Sequence, residues 1–102
     1  MNAEITSIRV RATGHDEPMQ FEVVVQDSRN QMRYQVAMSR ADFERLSGGK
    51  AMPEECVRAV FLFLLDREPK ESILRRFNVS IIERYFPEFH RELHCYLEAR
   101  RD

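Results

Sequence analysis

Tryptophan is absent from this chain, and cysteine, glycine and proline are scarce: two, three and four among 102 residues. Two cysteines, Cys56 and Cys95, are too few for a disulfide scaffold. Cys56 lies in an apolar helix and Cys95 beside a C-terminal apolar stripe, so both are expected to be buried, reduced thiols. With so little glycine there is no phosphate-cradling loop. Gly48-Gly49-Lys50 has neither the spacing nor the following Ser/Thr. Nucleophile-elbow and Cys-x-x-Cys patterns are missing as well. The longest apolar run, Ala59-Val60-Phe61-Leu62-Phe63-Leu64-Leu65, is far shorter than the ~20 residues that span a bilayer. Met1-Asn2-Ala3-Glu4 shows no basic start leading into an apolar stretch, so no secretory signal is expected. A cytoplasmic protein with no membrane partner is the resulting expectation.

An excess of one charge is lacking too. Net charge is −1. Residues 1–50 carry 7 basic and 7 acidic side chains, and residues 51–102 carry 9 and 10. Neither half projects a strong field towards nucleic acid or an anionic membrane. What is present is a globular composition, 43% hydrophobic and 32% charged, in a length suited to a single domain. Of the 16 basic residues 14 are arginine, which coding bias explains as readily as function.

Period-2 alternation marks three strands in the first third. Ile8, Val10 and Ala12 alternate with Ser7, Arg9 and Arg11; Phe21, Val23 and Val25 with Glu22, Val24 and Gln26; Met32, Tyr34, Val36 and Met38 with Arg33, Gln35 and Ala37. Residues 13–18 and Asp27-Ser28-Arg29-Asn30 supply turn formers between them, with Asn30 suited to a positive φ. Short connections favour an antiparallel meander over residues 1–38, whose apolar face must be covered by the remainder of the chain.

Residues 39–102 read as helical. Ser39 is an N-cap with Asp42 as its capping acid, and Gly48-Gly49 ends that helix. Pro53 opens the next, whose residues from Val57 to Leu65 are apolar nearly all round, as in a central helix. A third helix is expected from Lys70 to Phe77 with Ile73, Leu74 and Phe77 inward. Ser80 and Glu83 form a capping box for a further stripe from Ile82 to Leu97, which Pro87 must kink or break. Residues 98–102 are expected to fray. The fold class expected is therefore α+β, a single domain over 1–102: a three-stranded antiparallel β-meander, then four to five short helices on one sheet face.

Three groups of residues point to chemistry. Ile73-Leu74-Arg75-Arg76-Phe77-Asn78-Val79-Ser80 resembles the first helix and turn of bacterial helix-turn-helix regulators. This implies a DNA-binding segment at residues 70–86 with Arg75, Arg76 and Arg84 on phosphates. Leu74 stands where that motif takes a small residue, Arg84 where it takes an apolar one, and Ile81-Ile82 replace polar base-reading groups. His90 and His94, one helical turn apart beside Cys95, are the candidate metal ligands, but Arg91 occupies the position of a zincin glutamate. Finally, Arg84, Tyr85, Phe89 and Tyr96 have the aromatic and arginine composition of interfaces, although such a stripe is more often core. The outer sheet face, with Arg9, Arg11, Glu22, Val24 and Arg33, has a basic bias that cross-strand pairing accounts for.

The stretch Phe63-Leu64-Leu65-Asp66-Arg67-Glu68-Pro69-Lys70-Glu71-Ser72-Ile73-Leu74, with Tyr85-Phe86-Pro87-Glu88 after it, resembles a group of small uncharacterised bacterial proteins. The resemblance implies a bacterial, cytoplasmic protein and transfers no functional residue. No catalytic residue and no cofactor are expected. The function expected is a non-catalytic protein-interaction or regulatory domain, with a protein partner or a second copy of itself as a homodimer. A small DNA-binding regulator is the alternative.

Overall fold

The structure, a computed structural model, describes residues 5–49 and 51–98. It is α+β. Strands β1 (Ile5–Gly14), β2 (Met19–Asp27) and β3 (Gln31–Met38) form the expected antiparallel meander. Its inner face is set by register. Ile8 pairs with Val25, Val23 with Tyr34 and Phe21 with Val36, so these side chains share one side. All six are buried. The β2–β3 turn closes by a different device from the one expected. No non-glycine residue among those described has a positive φ. Instead the Asp27 carboxylate accepts from the N–H groups of Arg29 (2.8 Å) and Asn30 (3.0 Å), an Asx-type turn.

Helix α1 (Arg40–Ser47) begins where Ser39 Oγ accepts from Asp42 N–H at 3.0 Å and stops at Gly48, φ 64°. Helix α2 (Pro53–Leu65) is the central one. Phe61 faces the sheet, with its ring 5.0 Å from Tyr34 and 6.0 Å from Phe77. Phe63 meets Phe89 at 5.0 Å, so the other side of α2 packs on the last helix. An apolar surface nearly all round is what a helix covered on two sides requires.

The third helix expected over 70–77 does not form. Lys70–Ser72 makes one 3-10 turn, and Arg76–Asn78 is a fourth strand, β4, parallel to β3. The sheet is therefore mixed and four-stranded, in the order β1-β2-β3-β4. Ile73 and Phe77 are four apart, a spacing that satisfies a helical face and a strand face equally. The open edge of β3 decides between them, because its backbone groups need partners. Gln35 N–H donates to the Arg75 carbonyl at 2.8 Å, and Val36 pairs with Phe77.

A second 3-10 turn (Val79–Ile81) leads into the short helix α3 (Ile82–Tyr85), and α4 runs Phe89–Glu98. The apolar stripe is thus broken at Pro87, as its ring demands. The Ser80/Glu83 capping box is not made. Asn78 Oδ1 accepts from Ser80 N–H at 2.9 Å, and the Glu83 carboxylate pairs with Arg45 at 3.3 Å. Glu98 still belongs to α4; the rest of the segment expected to fray, and residues 1–4, lie outside the described residues.

Candidate functional site

The two breaks in helical structure, at 73–75 and at Pro87, open a groove of about 490 Å³ between the β4 approach and α3. Leu64 of α2, Ile73, Phe77 and Ile82 are its buried lining. Leu74 and Tyr85 stand at its mouth, 54% and 68% exposed. They are two of the three large apolar side chains left in solvent among the described residues, the third being Met52. Glu68 and Ser72 supply the polar lining. The volume lies in the range of ligand and anchor pockets, roughly 300–1,000 Å³.

The residues proposed from sequence as an interaction stripe divide. Tyr85 and Arg84 are exposed, and Tyr85 lines the groove. Phe89, 1% exposed, belongs to the core against Phe63. Tyr96 is half-buried, donates to Asp66 at 2.6 Å and meets Arg67 at 3.2 Å. That Arg67 is the hub joining α2 to α4. It bonds Glu88 at 3.2 Å and Glu92 at 2.7 Å, and its guanidinium lies 3.7 Å over the Phe63 ring. Phe89 and Tyr96 therefore hold the molecule together, and sequence reading of a mixed Arg/aromatic stripe does not separate such roles.

His90, His94 and Cys95 are all exposed on α4. Cys95 corrects the expectation of burial. It lies two residues, about 200° of helix, from the buried Leu93, and so faces away from α2. Among the described residues no three His, Cys, Asp or Glu side chains are placed to hold a metal ion. Cys56 is buried, and burial pushes its thiol up to about 12.

Arg75, Arg76 and Arg84 do not converge on one helix. Arg75 Nε donates to the Arg33 carbonyl at 3.0 Å, Arg76 sits opposite Gln35 on the outer sheet face, and Arg84 is on α3. With β4 in the place of its first helix, the helix-turn-helix geometry is not formed.

One buried cluster escaped sequence reading. Lys70, 2% exposed, bonds Asp27 and Glu71 at 2.7 Å each, while Tyr34 Oη donates to the Lys70 carbonyl at 2.7 Å. The bond from Lys70, with those from the Asn30 and Arg29 N–H groups, holds the Asp27 carboxyl down at about 2. Burial pushes Tyr34 up to about 12. Lys70 itself is held above its ordinary value by Asp27, so it stays a charged staple rather than a free amine. The sequence signal was thin: Lys70 is one of two lysines in an arginine-rich chain.

No protein-family model matches the chain, and searches of the curated proteins and of the solved structures find no match either.

Proposed function

We propose that this protein is a non-catalytic interaction domain that receives the apolar side of an amphipathic helix from a partner protein in the groove between β4 and α3. The observation that carries this reading is the pairing of Leu74 and Tyr85 at the mouth of that groove. A large aliphatic and an aromatic side chain kept in solvent beside an apolar concavity favour a protein partner. Helical anchors at i, i+3 or i+4, and i+7 fit a groove of this size, and a basic residue on the same helix would meet Glu68. Arg84, exposed and next to Tyr85 in the chain, favours acidic residues at the helix rim.

A photo-crosslinking phenylalanine analogue in place of Tyr85 tests this in the source cells. An adduct to a different protein, mapped to a helical segment and lost when Leu74→Asp is added, supports the reading. Absence of any adduct, or an adduct unaffected by Leu74→Asp, removes it. An adduct to a second copy of the chain replaces the partner by self-association.

A further inference from the structure

The helices pack on the inner face of the sheet, and the outer face is open except on its β1 side, where Glu54, Glu55 and Arg58 of α2 line one concavity with Arg9, Arg11 and Arg33. Register arranges its side chains in rows across the strands: Arg9–Val24–Arg33 in one, Arg11–Glu22–Gln35–Arg76 in the next. All four arginines are exposed. Glu22 is the one carboxylate in these rows, and it accepts from Arg11 at 2.9 Å and Arg33 at 3.2 Å. Four arginines against one glutamate give the rows +3, and counting Arg58, Glu54 and Glu55 beside them leaves the face with two positive charges in excess. A chain of net −1 must then carry −3 elsewhere. Cross-strand pairing alone would be satisfied by one arginine per glutamate. The excess is therefore not explained by the sheet's own stability.

We infer that the outer sheet face docks an acidic surface of a partner protein through Arg9, Arg11, Arg33 and Arg76. Complementary charge selects the partner's sign. The cations in the rows are all arginine, whose planar forks grip carboxylates two bonds at a time. Glu22 already holds two of the forks in place, so less side-chain freedom is lost on binding. Val24 lies between Arg9 and Arg33 and is already buried, so the contact surface is the polar one the arginines present. Nucleic acid fits less well. The rows contain no aromatic ring on which a base could stack. Nor does the broad sheet present a projecting helix or two-stranded ribbon for the major groove. From Arg11 to Arg76 is three strand spacings, about 14 Å, and the two rows lie about 7 Å apart along the strands, so the patch covers on the order of 100 Å², well under a standard half-interface of about 800 Å². The contact is accordingly weak, fast-forming and sensitive to salt.

The test is amide shift mapping of the isotope-labelled protein titrated with poly-L-glutamate, and separately with a short random DNA duplex. Poly-L-glutamate is expected to move outer-face amides of β1, β2 and β3, with affinity falling several-fold between about 50 and 200 mM salt. The pair Arg9→Gln and Arg33→Gln should weaken it at least about fivefold. Arg40→Gln with Arg91→Gln removes the same charge from exposed positions on the helical side, and should leave the affinity within about twofold. Absence of outer-face shifts overturns the inference, as does equal weakening by the two pairs. Tighter binding of the duplex on the same amides overturns it in favour of nucleic acid. If the Arg9/Arg33 variant fails to fold, the shift map of the unaltered protein decides alone.

Discussion

At the scale of single residues, packing has sorted chemically similar side chains into opposite roles. Cys56 and Cys95 are the sharpest pair. Cys56 sits in the interior of α2 with its thiol pushed up to about 12, whereas Cys95 is exposed on α4. Thiolate is the reactive form, so only Cys95 should titrate with a disulfide reagent in the native protein. Cys56 should react later, at the rate of unfolding. Two fast thiols would mean that α2 is not the covered helix described. Phe61 provides the energetic counterpart. It has no exposed surface and touches Tyr34 and Phe77 across the sheet interface. Phe61→Ala should cost about 3–5 kcal/mol in denaturant unfolding, through lost transfer energy and the cavity left behind. A loss under about 1 kcal/mol would place the core elsewhere.

At the scale of elements, caps decide where helices start and stop, and two of them can be removed with little else disturbed. Ser39→Ala removes the bond to Asp42 N–H and should cost about 1 kcal/mol. Gly48 holds φ 64° with open space where a Cβ would stand, so Gly48→Ala costs about 1–2 kcal/mol by conformation alone. The third case reverses the reading of the sequence. Asn78→Ala should destabilise the turn into α3 by about 1 kcal/mol, and Ser80→Ala by no more than about 0.5 kcal/mol, since Asn78 makes the cap. Comparing the two by thermal unfolding settles which residue acts. Local signals were legible in the three strands of the meander, in α1, in α2 and at Pro87, because alternation, capping and proline act within a few residues. Residues 70–80 were not. There the spacing of Ile73 and Phe77 suits either period, and the choice is made by the edge of β3, distant in sequence. The groove was hidden for the same reason: it exists only because β4 replaces a helix and Pro87 ends α3. Arg84 and Tyr85, which are exposed, could not be told from Phe89 and Tyr96 without Phe63 and Arg67 in place.

At the scale of the whole molecule, burial and ion pairing shape how stability depends on pH. On the acid side Asp27 titrates at about 2 when folded and near 3.8 when unfolded, with Glu22, Glu71 and Glu88 also lowered. Carboxylates held down favour folding above their unfolded values, and that contribution disappears as the pH falls from about 4 towards 2. On the alkaline side the groups are raised instead. Cys56 goes from 9.0 to about 12 and Tyr34 from 10.0 to about 12, both through burial, while Asp27 raises Lys70 above 10.5. The unfolded chain releases these protons first, so stability is complete below about pH 9 and declines as the pH climbs towards 12. Between about pH 9 and 10 Cys56 is the earliest contributor, and each proton held only by the folded state steepens the decline by about 1.4 kcal/mol per pH unit. Cys56→Ala should therefore lower stability at neutral pH, by leaving a small cavity, yet flatten its decline between about pH 9 and 10.5. Denaturant melts of both proteins across that window measure the two slopes. Equal slopes would show that Cys56 ionises in the folded state as it does in the unfolded one, which its burial inside α2 forbids.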